Sequence, residues 1–297
     1  MPIVEQRSVL TGLQVKEAMR RDVQRMAADR SLAACIRRMV KFKGNALLVD
    51  APAAGAPIGV ASRTDLMGAY YAGLPLETPV ADILAGPPRF CFPDDGLEDA
   101  LDLMRQEGIH RLYVRGAGPA QIVGVIAFAD IVGLLYRFCR FCSQSRRKAK
   151  TPDGGALARL RVGEVMSPLG AACGPGDPIE TVVETLSAHR FGAVLVAGAR
   201  GEPLGVVSKT DLMVAYLHGE PTAAAAERVM TSPVAVCSAQ ALLSEAIQQM
   251  LLTDVQRLFV TGAEAPAVVG VLSLSDAARF RSGTCRACVT SRLMTGD

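Results

Sequence analysis

The sequence predicts an α/β (α+β) protein built from four βαββα units, and three observations predict it. The segment Gly59-Val60-Ala61-Ser62-Arg63-Thr64-Asp65-Leu66-Met67 returns almost unchanged as Gly205-Val206-Val207-Ser208-Lys209-Thr210-Asp211-Leu212-Met213. Two weaker copies are Gly124-Val125-Ile126-Ala127-Phe128-Ala129-Asp130 and Gly270-Val271-Leu272-Ser273-Leu274-Ser275-Asp276. Asp65 to Asp130 and Asp211 to Asp276 both span 65 residues, while Asp65 to Asp211 and Asp130 to Asp276 both span 146. A fixed period of this kind marks stacked repeats, and the order A-B-A′-B′ is that of a two-unit ancestor duplicated whole.

Each unit reads in the same order. An opening Val-x-x-x-Met piece comes first (Val15 to Met19, Val162 to Met166, with Arg228 to Met230 as a shorter form), followed by a short extended stretch. Apolar residues at helical spacing, as in Gly96 to Met104, then predict an amphipathic helix. Two apolar strands come next: Ala46 to Val49 with Gly59 to Ser62, Leu112 to Val114 with Val123 to Ile126, Val194 to Val196 with Gly205 to Val207, and Leu258 to Val260 with Val269 to Val271. Gly- and Pro-rich connections such as Asp50 to Gly55 separate the strands, and a second helix is expected to start at the motif Asp. Units of about 60 residues bury little surface alone, so they should pair. The expected boundaries are a first module over 1–150 (units about 13–76 and 77–142) and a second over 151–297 (units about 160–222 and 223–288).

Composition bounds the function. Half of the 297 residues are hydrophobic and 21% are charged, enough for a buried core. A net charge of +3, no Trp and few aromatics disfavour a nucleic-acid platform. The longest apolar stretch, Ile122 to Tyr136, is broken by Asp130 and falls short of the ~20 residues of a spanning helix. The N-terminal residues lack a secretory pattern. A cytoplasmic protein with reduced or metal-bound cysteines is therefore expected.

The motif itself suits a nucleotide. A strand that ends in Ser or Thr and turns at once into a helix offers free backbone N–H groups and a positive dipole end, which favour phosphate. An Asp beside it can accept two hydrogen bonds from a vicinal ribose diol. The competing reading is that Ser and Asp only cap the helix, at about 1 kcal/mol each; four retained copies favour a ligand.

These motifs resemble the cystathionine-β-synthase (CBS) domain family, in which two repeats pack as a Bateman module, and the resemblance spans almost the whole chain. It implies two tandem modules, commonly dimeric, that regulate a partner protein by binding AMP, ADP, ATP or S-adenosylmethionine. By position, it implies Asp65, Asp130, Asp211 and Asp276 for the ribose, and Ser62, Thr64, Ser208, Thr210, Ser273 and Ser275 as the hydroxyls. The second unit departs, because Ala127 and Ala129 replace both hydroxyls, so its site should be weakened or empty. His110-Arg111 resembles the family's basic strand start, which can reach phosphates; Arg257 keeps the Arg, and the odd units keep neither. The alternative places Arg111 and Arg257 on solvated edges beside surface acids. Under the phosphate reading, basic groups come only from the even units.

The cysteines add a separate feature. Cys139-Arg140-Phe141-Cys142 and Cys285-Arg286-Ala287-Cys288 stand nine and twelve residues after their motif Asp, at equivalent places in the duplicated halves. Two such pairs could form a four-thiolate site for an iron–sulfur cluster or zinc; a dithiol redox switch or oxidoreductase, and inert copied cysteines, remain alternatives. Cys91 and Cys237, also 146 apart, read as buried strand residues, and Cys35 and Cys173 as core. Two basic, acid-free stretches (137–150 and 277–292) read as solvated surface. Three histidines, no P-loop and no nucleophile elbow point to a regulatory protein and not an enzyme.

Overall fold

The computed structural model describes residues 10–52, 56–118, 121–141 (side chains through Arg137), 160–262 and 267–278. The same order of elements appears four times in them. Unit 1, after a short helix α1 (Val15–Ala18), has β1 (Arg25–Ala27), α2 (Leu32–Lys41), β2 (Ala46–Asp50), β3 (Pro57–Ser62) and α3 (Arg63–Tyr71). Unit 2 has β4 (Phe90–Cys91), α4 (Leu97–Gln106), β5 (Arg111–Arg115), β6 (Ile122–Ala127) and α5 (Phe128–Phe141). Unit 3 has β7 (Ser167–Pro168), β8 (Ala172–Cys173), α6 (Ile179–Ala188), β9 (Ala193–Ala197), β10 (Pro203–Ser208) and α7 (Lys209–Leu217). Unit 4 has β11 (Val236–Ser238), α8 (Leu243–Leu252), β12 (Arg257–Thr261), β13 (Val268–Ser273) and α9 (Leu274–Ala278).

The first helix of each unit is amphipathic in the same register. Leu32, Cys35, Ile36 and Met39 are buried in α2, and Leu97, Ala100, Leu101 and Met104 in α4. Ile179, Val182, Val183 and Leu186 follow in α6, and Leu243, Ala246, Ile247 and Met250 in α8. This i, i+3, i+4, i+7 stripe lays one helix face on its sheet. In every sheet the first strand runs parallel to the second and the third antiparallel, with orders β1-β2-β3, β4-β5-β6, β8-β9-β10 and β11-β12-β13-β7.

Sheets meet within a half of the chain and helices meet between halves. Leu48, Tyr113 and Val125 join the sheets of units 1 and 2, and Leu195, Phe259 and Val268 those of units 3 and 4. One large core joins units 1 and 3, and another joins units 2 and 4. The motif helices α3 and α7 cross at the first of these, with Tyr70 and Tyr216 stacked at 5.1 Å. The Tyr70 hydroxyl donates to the Glu220 carbonyl (2.6 Å) and the Tyr216 hydroxyl to the Leu74 carbonyl. Both helices are buried on more than one side, at Leu66, Met67, Ala69 and Tyr70 and at Leu212, Met213, Ala215 and Tyr216. Among the described residues no helix is long and apolar enough to cross a membrane.

The opening pieces explain the motif glycines. Each crosses to the neighbouring unit and sets an apolar side chain against that unit's glycine: Leu84 on Gly59, Met19 on Gly124, Met230 on Gly205 and Met166 on Gly270. The second unit's own opening piece, a 3₁₀ turn over Val80–Ile83 followed by Leu84, escaped the sequence reading because Leu stands where the others carry Met. Cys35, Cys91 and Cys173 are buried as expected, whereas Cys237, in a short outer strand, is only half-buried.

A Cβ at Gly270 would lie 2.7 Å from both the Ser167 carbonyl oxygen and the Met166 sulfur, whereas Gly68 has open space around it. Gly270→Ala should therefore destabilise by roughly 1–3 kcal/mol. Gly68→Ala, inside an exposed helix turn, should stabilise by about 0.5–1 kcal/mol. Urea unfolding of the two variants checks both signs.

Candidate functional site

The four strand-to-helix turns share one local design. The second helix starts two residues before the motif Asp and not at it, at Arg63, Phe128, Lys209 and Leu274, so the Asp is the third helical residue. From there its Oδ2 turns back and accepts the backbone N–H of the residue before the helix. The distances are 2.7 Å for Ser62 to Asp65, 2.8 Å for Ala127 to Asp130, 2.7 Å for Ser208 to Asp211 and 2.9 Å for Ser273 to Asp276. Ser62 and Ser208 complete the reciprocal cap by accepting from the N–H groups of Asp65 and Asp211 (3.4 Å each). Capping thus occupies one carboxylate oxygen and leaves the other for a second partner, so the two readings of the motif are compatible.

The turns converge on one cavity of about 820 Å³ at the meeting of all four units. It brings together Ser62, Thr64 and Asp65 of unit 1 with Ser273, Ser275 and Asp276 of unit 4, and with His110, Arg111 and Arg257. Asp130, Ser208, Thr210 and Asp211 do not border it. Their carboxylates have other company: Asp130 Oδ1 pairs with Arg20 Nε at 2.9 Å, and Asp211 Oδ1 accepts from the Thr231 hydroxyl at 2.8 Å. The Asp65 carboxylate is held by Ser62 and has the Lys209 ammonium nearby.

Arg111 and Arg257 are not on solvated edges beside surface acids; both are half-buried and line the cavity. The strand start turns inward because sheet packing within each half puts that end of β5 and β12 at the centre. Arg111 donates to the Ala46 carbonyl (3.3 Å), and Gly192 makes room for Arg257, since a Cβ there would sit 2.0 Å from its guanidinium. The expectation that basic groups come only from the even units is also corrected. Arg63 and Lys209, at the first helical position of the odd units, face the same space. Arg63 donates to the Gly44 carbonyl (3.1 Å), and Lys209 crosses between the halves to the Thr64 hydroxyl (2.8 Å). A signal for them existed: that position is basic in the odd units and apolar in the even ones (Phe128, Leu274), the reverse of the strand-start position.

These cations are crowded. Burial lowers Arg63 to about 10, and Arg111 and Arg257 push the same way while Asp211 and Asp254 oppose. Burial lowers Arg257 to about 10 against the pull of Asp276, and it lowers Arg111 and Lys209 as well. His110, edge-on to Phe128 at 5.6 Å, is lowered by burial and then by Arg111, Lys209 and Arg257. Positive charge held together out of water is a standing invitation to an anion. Asp65 is raised by burial, against the Ser62 hydrogen bonds and Lys209.

Cys142, Cys285 and Cys288 lie outside the described residues, as does the side chain of Cys139. Among the described residues no cluster of three or more His, Cys, Asp or Glu could hold a metal ion.

Comparison with known proteins agrees with this architecture. Residues 80–137, 162–218 and 226–283, more than half of the chain, match the CBS domain model, so the chain belongs to the CBS domain family. The first unit lies outside those matches and shows the same element order. Protein MJ1225 of Methanocaldococcus jannaschii is similar in fold, with a TM-score of 0.74 at 13% identity over 90% of this chain and 99% of that one. An uncharacterized conserved protein of Pyrococcus horikoshii has a TM-score of 0.57 at 16% identity, over 91% of this chain and 100% of its own. No curated protein matches the sequence.

The raised Asp65 gives a test of what the residue is for. A carboxylate whose folded pKa is raised favours the fold most when protonated, and that contribution is lost as pH rises through the folded value. At pH 7 Asp65→Asn removes the penalty and keeps an oxygen for the Ser62 N–H, so unfolding stability should hold or rise. Ser62→Ala should lose about 1 kcal/mol. An equal loss in both variants would make Asp65 a cap and nothing more.

Proposed function

We propose that this CBS-domain protein is a non-catalytic regulatory module that binds an adenosine nucleotide in the central cavity. The observation that carries the reading is the convergence of Arg63, Arg111, Lys209 and Arg257 on a space also lined by Asp65, Asp276 and the hydroxyls of Ser62, Thr64, Ser273 and Ser275. The carboxylates suit a ribose diol. The cations and helix starts suit phosphates. Of the ligands the family resemblance implies, the charge favours AMP, ADP or ATP over S-adenosylmethionine, whose sulfonium would enter a cationic site. Since the lining comes from both halves of the chain, a ligand that draws these groups together alters how the halves sit, which is the signal an unidentified partner protein would read.

Calorimetry tests this directly. AMP or ATP should bind, Asp65→Ala should weaken both at least tenfold, and Arg257→Ala should weaken ATP more than adenosine. Tighter binding of S-adenosylmethionine than of any nucleotide would overturn the reading, as would no binding of any adenosine compound.

The depressed His110 predicts a pH effect with a definite sign. A bound phosphate raises the imidazole pKa, so binding takes up a proton and tightens as pH falls toward the ordinary histidine range near 6.5. The ligand phosphate also titrates near 6, so the informative quantity is the difference from His110→Gln. The wild type should gain affinity between pH 8 and pH 6.5 relative to that variant.

A further inference from the structure

The residue that follows each packed Leu or Met is in a position to control the neighbouring motif Asp. Four residues fill it: Ala85, Arg20, Thr231 and Ser167, next to the glycine partners Leu84, Met19, Met230 and Met166. Ala85 and Ser167 border the central cavity with Asp65 and Asp276, and Thr231 hydrogen-bonds Asp211. Arg20 alone among the four is charged.

Its placement is fixed by the backbone. Arg20 N–H donates to the Val125 carbonyl and Val125 N–H to the Arg20 carbonyl, both at 2.9 Å. From that anchored pair, Nε reaches Asp130 Oδ1 at 2.9 Å, on a carboxylate whose side chain is only 11% exposed. Ala127 N–H already occupies Oδ2 at 2.8 Å. The protein therefore uses both oxygens of Asp130, and Ala127 and Ala129 offer no hydroxyl beside them.

We infer that Arg20 is a built-in plug, a guanidinium that occupies the ribose-binding oxygen of the second unit and excludes nucleotide from it. The inference rests on the proposed role of the motif Asp as the ribose ligand. It makes Arg20 a specificity-determining residue that sets how many ligands one chain takes. A guanidinium suits the task, because its planar donors match a carboxylate and it stays charged at any physiological pH. The Arg20 side chain is 59% exposed, so solvent screens the contact from one side, and its removal should cost some stability without unfolding the chain.

The test counts AMP bound per chain by equilibrium dialysis for the wild type, Arg20→Ala, Arg20→Gln, and Arg20→Ala with Asp130→Asn. Both single variants should bind one AMP more per chain than the wild type, and the double variant should return to the wild-type count. An unchanged count in both single variants overturns the plug, since a merely structural ion pair would alter thermal stability and not stoichiometry. A wild type that binds no AMP beside an Arg20→Ala chain that binds one would sink the central-cavity reading and leave the plug standing.

Discussion

Everything at the centre of this molecule depends on one hydrogen bond repeated four times, from a backbone N–H at the end of a strand to the Oδ2 of an Asp three residues on. It fixes the turn where sheet becomes helix, and so aims four helix starts at the places where the units meet. The bond also determines which chemistry remains. A carboxylate committed through one oxygen cannot swing away, and its second oxygen is presented at a fixed point beside free helix N–H groups.

Packing then differentiates the four equivalent turns. Sheets associate within each half and motif helices between halves, so every turn is surrounded by residues from other units. Unit 1 opens on the central cavity with Asp65, Ser62 and Thr64, and unit 4 with Asp276, Ser273 and Ser275. In unit 2 the carboxylate meets Arg20, and in unit 3 it meets Thr231. The duplication made two matched halves, yet the cavity takes its motif Asp from an odd unit of one and an even unit of the other. The residue at the end of each crossing segment differs accordingly: Ala85 and Ser167 line the cavity, whereas Arg20 and Thr231 contact Asp130 and Asp211.

The crowded cations follow from the same topology. Arg63 and Lys209 come from helix starts, and Arg111 and Arg257 from strand starts, at complementary positions of odd and even units. Bringing them together out of water opposes folding, as their lowered pKa values record. An anionic ligand would offset that cost, which ties occupancy of the cavity to the relative placement of the two halves.

The sequence alone determined the number of units, their period, the order of elements and the motif, because these rest on local spacing. The helix stripes and the Ser and Asp turn are set by residues close in the chain. Cysteine equivalence across 146 residues was equally legible, but spacing cannot say whether distant thiols meet. Tertiary structure decided which motif residues share a space, that Arg111 and Arg257 face inward, and that Arg63 and Lys209 join them. It also decided that Asp130 faces Arg20. Each of these is a contact between units, and local periodicity has no information about which residues a neighbouring unit brings to the interface.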